Sequence, residues 1–444
     1  MTLTALFQTA GPWRRLCDSV RVCPAFTSLL LAVFFSAGAT TRAQDAGEWR
    51  QWRGPSGDNH ASKDWDLPLK WNLKTGQNIL WKAKIAGRGH STPIFVGKWI
   101  FLTTMDPVAR VQAVLRIDRQ TGRVVNQWAV HRDVGDIPMH RNNSGASPSL
   151  ASDGEMLYAC FYSRDAINVT ALSMEGSKIW QRQVCDFYPS QFQFGYGASP
   201  IIEGDLLIVA AEYDGENSGL YALDLKTGKP IWKAERPINL NFASPIVATV
   251  AGERLLLLAG AGTIDAHDPR TGARRWSVPT ATDAICGTIV WDDRRLMISG
   301  GNPGSGTWCI QAAGNRKELW SNTVMCYEQS LLAIKEFVFG VADNGVAYCW
   351  RTRDGTEMWK ERLFSGGISA SPLLVGAELI VASEKGEVFT LAANPARFEL
   401  LSTNQTGDSI FASPVAVNDC LYVRTGVMEN GVRQEYLVAI SSRR

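Results

Sequence analysis

Glu212, Asp214, Asn302, Asp343 and Asn344 are the side chains of this sequence best suited to hold a hard cation, which takes about six to eight oxygen ligands. Each stands singly in a segment that reads as a hairpin turn. Asp and Asn serve turns by bonding their own backbone two residues on, so no metal site is expected. His140-Arg141-Asn142-Asn143 gathers an imidazole, a guanidinium and two amides. No nucleophile and base stand there at a telling spacing, and a solvated loop explains the run equally well. The cysteines after residue 43 are Cys160, Cys185, Cys286, Cys309, Cys326, Cys349 and Cys420. None forms CxxC, CxxCH or an adjacent pair, which leaves zinc, attached haem and a thioredoxin-type redox site unsupported. Small buried thiols on strands are expected, and an odd number leaves at least one thiol unpaired or bonded to another molecule.

Positioning any such group requires a scaffold, and a repeat supplies it. A Gly turn followed by Trp recurs as LKTGQNILW (73–81), RQTGRVVNQW (119–128), MEGSKIW (174–180), LKTGKPIW (225–232), PRTGARRW (269–276), AAGNRKELW (312–320) and TRDGTEMW (352–359). A worn eighth copy, NPARFELL (394–401), puts Leu401 in the Trp place. A second marker runs in phase: Ser-Thr-Pro at 91–93 and Ala-Ser-Pro at 146–148, 198–200, 243–245, 370–372 and 412–414. Cys286-Gly287-Thr288 and Gln329-Ser330-Leu331 complete eight copies. Short apolar runs between the markers read as strands covered on both faces, four per unit. Four antiparallel strands at such a period describe a blade of a β-propeller. The expected fold is all-β, an eight-bladed propeller of four-stranded antiparallel blades. The first Trp unit, Asn78–Ile85, precedes any blade of its own, and the last blade lacks a fourth strand. The N-terminal strand is therefore expected to complete the C-terminal blade and remove two unpaired edges. Trp81, Trp128, Trp180, Trp232, Trp276, Trp320 and Trp359 are expected to be structural wedges between blades.

The chain has 444 residues, 45% hydrophobic and 20% charged, as expected of a globular protein. Arg14, Arg15 and Arg21 precede an apolar run, Phe26 to Ala39, and Thr41-Arg42-Ala43 offers a cleavage site, so residues 1–43 read as a signal peptide. No cysteine sits at the cleavage point to carry a lipid. Removal of 1–43 leaves 41 basic and 42 acidic residues, which argues against a nucleic-acid or anionic-membrane surface. The expected organisation is a signal at 1–43, a lead-in at 44–71 and a propeller at 72–444. A periplasmic or secreted monomer with no membrane span after signal removal is expected.

Function on a propeller usually lies in the loops at one mouth of the central channel. The loops that enter the innermost strands nominate His90, Arg141, Asn143, Tyr196, Phe242, Tyr327, Glu328 and Phe411 as binding residues. The set mixes aromatic and polar groups, as a ligand or peptide mouth would; no catalytic residue and no metal is assigned.

The Gly-turn-to-Trp repeat with its Ala-Ser-Pro strand resembles the pyrroloquinoline-quinone (PQQ) repeat family over about residues 72–444. Its branches are quinone-dependent alcohol and glucose dehydrogenases and non-catalytic BamB-like relatives. Trp49-Arg50-Gln51-Trp52-Arg53-Gly54-Pro55 is similar to the lead-in of exported PQQ-like propellers of planctomycete bacteria. The dehydrogenase branch implies PQQ, a Ca²⁺ beside it, a carboxylate base and, in the alcohol-oxidising enzymes, two adjacent cysteines. This sequence has no such pair and near-minimal blades. The resemblance therefore implies a non-catalytic scaffold that binds an envelope or extracellular protein or another ligand, without cofactor; a PQQ/Ca-dependent oxidoreductase is the alternative.

Overall fold

The computed structural model describes residues 47–443; the signal-peptide expectation falls outside them. Among the described residues all regular structure is β, with no helix long and apolar enough to cross a membrane. Eight four-stranded antiparallel blades follow in order: 94–132, 151–186, 201–235, 246–279, 290–322, 332–362, 373–405 and a composite eighth. Blade 3 shows the pattern: Ile201–Glu203 innermost, then Leu206–Ala211, Gly219–Asp224 and Pro230–Glu235 outermost. Its second strand is buried throughout, because neighbouring blades cover both faces.

The ring closes through the first long strand. Ile79–Ile85 pairs antiparallel with Val432–Ile440, from Ile79 opposite Ile440 to Ile85 opposite Glu435. It is the outermost strand of blade 8, whose inner strands are Val415–Ala416 and Leu421–Glu429.

The Trp–Gly repeat works across blade boundaries. Gly228 of blade 3 has φ +66°, and a Cβ there would lie 2.5 Å from the Trp180 ring of blade 2. The same seating joins Trp81 to Gly122, Trp128 to Gly176, Trp232 to Gly272 and Trp320 to Gly355. Glycine is needed twice over, for the left-handed turn and for room under the indole. The indole N–H groups of Trp81, Trp180, Trp320 and Trp359 donate to Arg119, Leu225, Thr352 and Asn394 carbonyls of the next blade. Trp276 differs: no glycine lies under it, and it meets the Arg316 guanidinium 5.6 Å from its ring centre.

Two register expectations are corrected. In blade 7 the bulge skips Leu401 and pairs Ser402 with Thr390, so Ser402 takes the Trp position. Trp71 of the lead-in stands against the same strand, its backbone N–H bonded to Asn404 and its indole to Thr406. In blade 2 the inner-strand marker is Ser149, two residues beyond the Ser147 of Ala-Ser-Pro. Its backbone N–H donates to Ser199 Oγ at 2.9 Å, and its own Oγ accepts from Thr92 N–H at 3.0 Å. These bonds belong to a ring of hydroxyls around the channel that continues from Ser199 to Ser244, and from Thr288 through Ser330 and Ser371 to Ser413. The hydroxyls of Ser149, Ser199, Ser244, Ser330, Ser371 and Ser413 each satisfy a neighbour's buried N–H.

The lead-in crosses the channel. Trp49 exchanges two backbone bonds with Phe95 of blade 1, and the Arg50 carbonyl accepts from Ser152 of blade 2. Gln51 takes the N–H of Ile202 in blade 3. The Trp52 indole reaches Thr288 of blade 5, and Arg53 reaches the Leu331 carbonyl of blade 6. His60–Ala61 runs parallel to the innermost strand of blade 7, and Asp66 N–H bonds Asp419 of blade 8. Residues 49–66 thus tie seven blades together by hydrogen bonds before the strand closes the ring.

Candidate functional site

Above the hydroxyl ring the channel widens into a cavity of about 370 Å³. Its floor is Trp52 with hydroxyls of Thr92, Ser149, Ser199, Ser244, Ser371 and Ser413. Because Trp52 comes from the lead-in, the cavity is a blind cup rather than a through-channel. Its walls are the loops that enter the inner strands. Short inner strands place these loops at one level, since each strand starts two residues after its ring hydroxyl.

Six of the eight nominated residues line this cup: His90, Asn143, Phe242, Tyr327, Glu328 and Phe411. The other two do not. Tyr196 is 6% exposed; its hydroxyl donates to the Ala210 carbonyl at 2.8 Å, and its ring packs on Phe187. It is a core residue because its loop turns the phenol back between strands. Arg141 is exposed, and its carbonyl accepts from Arg88 at 3.3 Å; its side chain lies outside the cup lining. The nomination had passed over Trp52, His140, Asn142, Phe194 and Cys286, which also line the cup. Phe194 and His140 stood in the same loops and differed by no visible signal. Trp52 belongs to no repeat, so only its place in three dimensions, bonded to Thr288 and lining the cup, reveals it.

The cup is polarised. Burial pushes the Glu328 carboxyl up, with the nearby charges of Glu384 and Asp343 adding, while the Ser369 hydroxyl and His140 oppose. On the opposite side His90 stacks on Phe411 at 4.7 Å. Burial holds its imidazole well below its usual value, aided by Arg88, Arg424 and Arg433, so it is neutral near pH 7. Its Nε2 is buried without a hydrogen-bond partner. Arg424 and Arg433 are themselves paired with Glu435 at 3.0 and 2.5 Å. Cys286 is a half-buried thiol pushed upward by burial and by the Glu328 charge. All seven cysteines among the described residues are unpaired. An aromatic path leads in from outside: Phe192, 44% exposed, lies 5.6 Å from Phe194, which lies 6.0 Å from Phe242.

The sequence's cation candidates are engaged elsewhere. Glu212 forms a buried ion pair with Arg236 at 2.5 Å, and Arg236 also binds Asp265. Asp214 caps Ser190 and Gln191, Asn344 closes its own turn on Val346, and Asn302 is exposed. Asp343 accepts from Tyr327 N–H and the Gln329 amide. Among the described residues no three His, Cys, Asp or Glu side chains are placed to hold a metal. Glu328 is the carboxylate in the cup lining, and the Asn143 oxygen is bonded to Ser144 and Ser147. These residues do not fit a quinone with its calcium ion.

Fold and cup together define, among the described residues, an eight-bladed propeller whose channel opens into an aromatic-lined mouth. A family profile described as outer membrane protein assembly factor BamB, of the PQQ repeat type, matches residues 66–191 and 189–361, and the chain belongs to that family. The BamB protein of Burkholderia pseudomallei is 22% identical over 363 residues, 78% of this chain and 85% of that protein. The crystal structure of BamB from Moraxella catarrhalis superposes with a TM-score of 0.59 at 16% identity, covering 82% of this chain and 98% of that one. A europium-containing methanol dehydrogenase gives 0.65 at 11% identity, covering 89% and 98%. At these identities the structures show the shared fold alone.

Proposed function

We propose that this protein is a non-catalytic scaffold of the cell envelope that receives a segment of a partner protein in the cup. The observation that carries the reading is the aromatic path from exposed Phe192 through Phe194 to Phe242, which ends in a blind cavity with a solid floor. A dead-end cavity that sets aromatic rings among hydroxyl, amide and imidazole groups is built to hold a ligand, and exposed aromatics beside it extend the contact as interface anchors do. The naming of relatives as outer membrane assembly factors supports an envelope partner. The engagement of the acidic side chains in turns and ion pairs supports a role without quinone or calcium.

The test is capture from envelope extract with the whole chain, comparing wild type, Phe194→Ser and a control on the opposite face, Lys335→Glu. The expected result is a partner retained by wild type and control and lost by Phe194→Ser. A stoichiometric quinone spectrum with dye reduction by an alcohol or sugar would overturn the reading in favour of an oxidoreductase.

A further inference from the structure

We propose that the cup takes an alkylammonium group, seated between its aromatic rings and the Glu328 carboxylate; this rests on reading the cup as the binding site. Trp52 forms the floor, and Phe194, Phe242, Tyr327 and Phe411 stand in the walls. Aromatic faces carry negative partial charge and attract cations, most strongly where water is displaced, which is how aromatic cages select ammonium ligands.

The charges point the same way. No lysine or arginine lines the cup, whereas Glu328 does. Asp343 and Glu384 lie close enough to disfavour its ionised form. A partly desolvated carboxylate beside two others is an unsatisfied acceptor of positive charge, and a bound cation relieves both the desolvation and the repulsion. The basic side does not cancel this. His90 is neutral, Arg424 and Arg433 behind it share Glu435, and the Arg88 guanidinium, outside the lining, donates to the Arg141 carbonyl. The volume, about 370 Å³, exceeds what a bare ammonium needs. It suits a lysine side chain with flanking backbone, or a quaternary amine with a short tail. Both sources present the same chemistry.

Calorimetric titration of the whole chain with three probes decides the matter: choline, its neutral isostere 3,3-dimethyl-1-butanol, and the peptide acetyl-Leu-Lys-Leu-amide. The expected result is binding of a cationic probe at least tenfold tighter than the neutral isostere. Preference for the peptide identifies a protein segment as the source, and preference for choline a free amine. Glu328→Gln should weaken the cationic probe about tenfold while leaving the isostere unchanged. Phe242→Leu should weaken it severalfold, and thermal melts confirm that both variants fold. Affinity should fall on acidification as Glu328 takes up a proton; Asp343, Glu384 and His140 are the charged groups that face it, and the Ser369 hydroxyl favours its ionised form. Equal binding of isostere and choline, or an indifferent Glu328→Gln, would overturn the ammonium assignment and leave the cup as a ligand site. So would capture of a partner through Phe194 by a protein that binds no cationic probe. Loss of partner capture alongside intact choline binding would instead overturn the scaffold reading.

Discussion

The indole N–H of Trp52 donates to the Thr288 hydroxyl at 2.8 Å. Thr288 is the blade 5 member of the hydroxyl ring, where the hydroxyls of Ser149, Ser199, Ser244, Ser330, Ser371 and Ser413 each accept a backbone N–H from the preceding blade. At Thr288 the donor is a side chain from the lead-in, so cup floor and ring are one hydrogen-bonded unit. Trp52→Phe should keep the floor and cost about 1 kcal/mol for the lost bond. Trp52→Ala should open the cup downwards and cost about 3–4 kcal/mol. Denaturant titration of the two variants reads the difference.

Gly228 and Gly204 separate strain from collision. Both have positive φ, but a Cβ on Gly204 meets nothing within 4 Å, whereas one on Gly228 meets Trp180 at 2.5 Å. Gly204→Ala should cost about 1 kcal/mol from the backbone alone. Gly228→Ala should cost roughly 3 kcal/mol or more, because overpacking is added to strain. Similar melting temperatures for the two would remove the indole–glycine seat as a source of stability.

The interblade indoles should not be equivalent. Trp81 covers Gly122, bonds the Arg119 carbonyl and lies 5.8 Å from Tyr422. Trp276 has no glycine beneath it, and its buried Nε1 has no acceptor. Trp81→Ala should therefore cost about 3–5 kcal/mol and Trp276→Ala distinctly less, as measured by the denaturation midpoint. The first also loosens the strand that closes the ring, so its unfolding should lose cooperativity.

His131 sets one limb of the pH profile. Its Nδ1 contacts the Gln112 carbonyl oxygen at 2.9 Å, so that nitrogen donates, and the buried Nε2 has no partner. Burial, with the Lys178 charge adding, lowers its pKa to about 4. The unfolded chain takes up this proton near pH 6.5 and the folded one does not. Its contribution is therefore full above pH 6.5 and declines by about 1.4 kcal/mol per pH unit down to pH 4. His131→Phe should flatten this part of the stability curve. An NMR titration with a midpoint near 6.5 in the folded protein would contradict the assignment.

The blades, their number and the closing strand were legible because each depends on a local pattern repeated eight times, and the first and last copies were visibly incomplete. Errors fell where a marker had slipped within its unit. Ser147 of Ala-Ser-Pro lies two residues before the true ring hydroxyl, Ser149, and Leu401 lies beside the true outer-strand position, Ser402. Both slips keep the residue types and change only the pairing, which hydrogen bonds alone decide. The cup was legible as a set of loops but not as a lining. Nothing in the sequence distinguishes Tyr196, folded into the core, from Phe194, turned outward. The floor was not legible, since Trp52 gains its place from contacts about 240 residues distant along the chain.

The closing strand has a further consequence for assembly. Ile79–Ile85 is synthesised before any blade, yet its partner, Val432–Ile440, is the last strand made. Ile79–Ile85 must therefore wait for this pairing until Val432–Ile440 has been made. Contacts that span nearly the whole sequence make for slow folding. A chain cut short before Val432 would keep Ile79–Ile85 without its partner and leave the ring unsealed, so the seal forms only after all eight blades have been made.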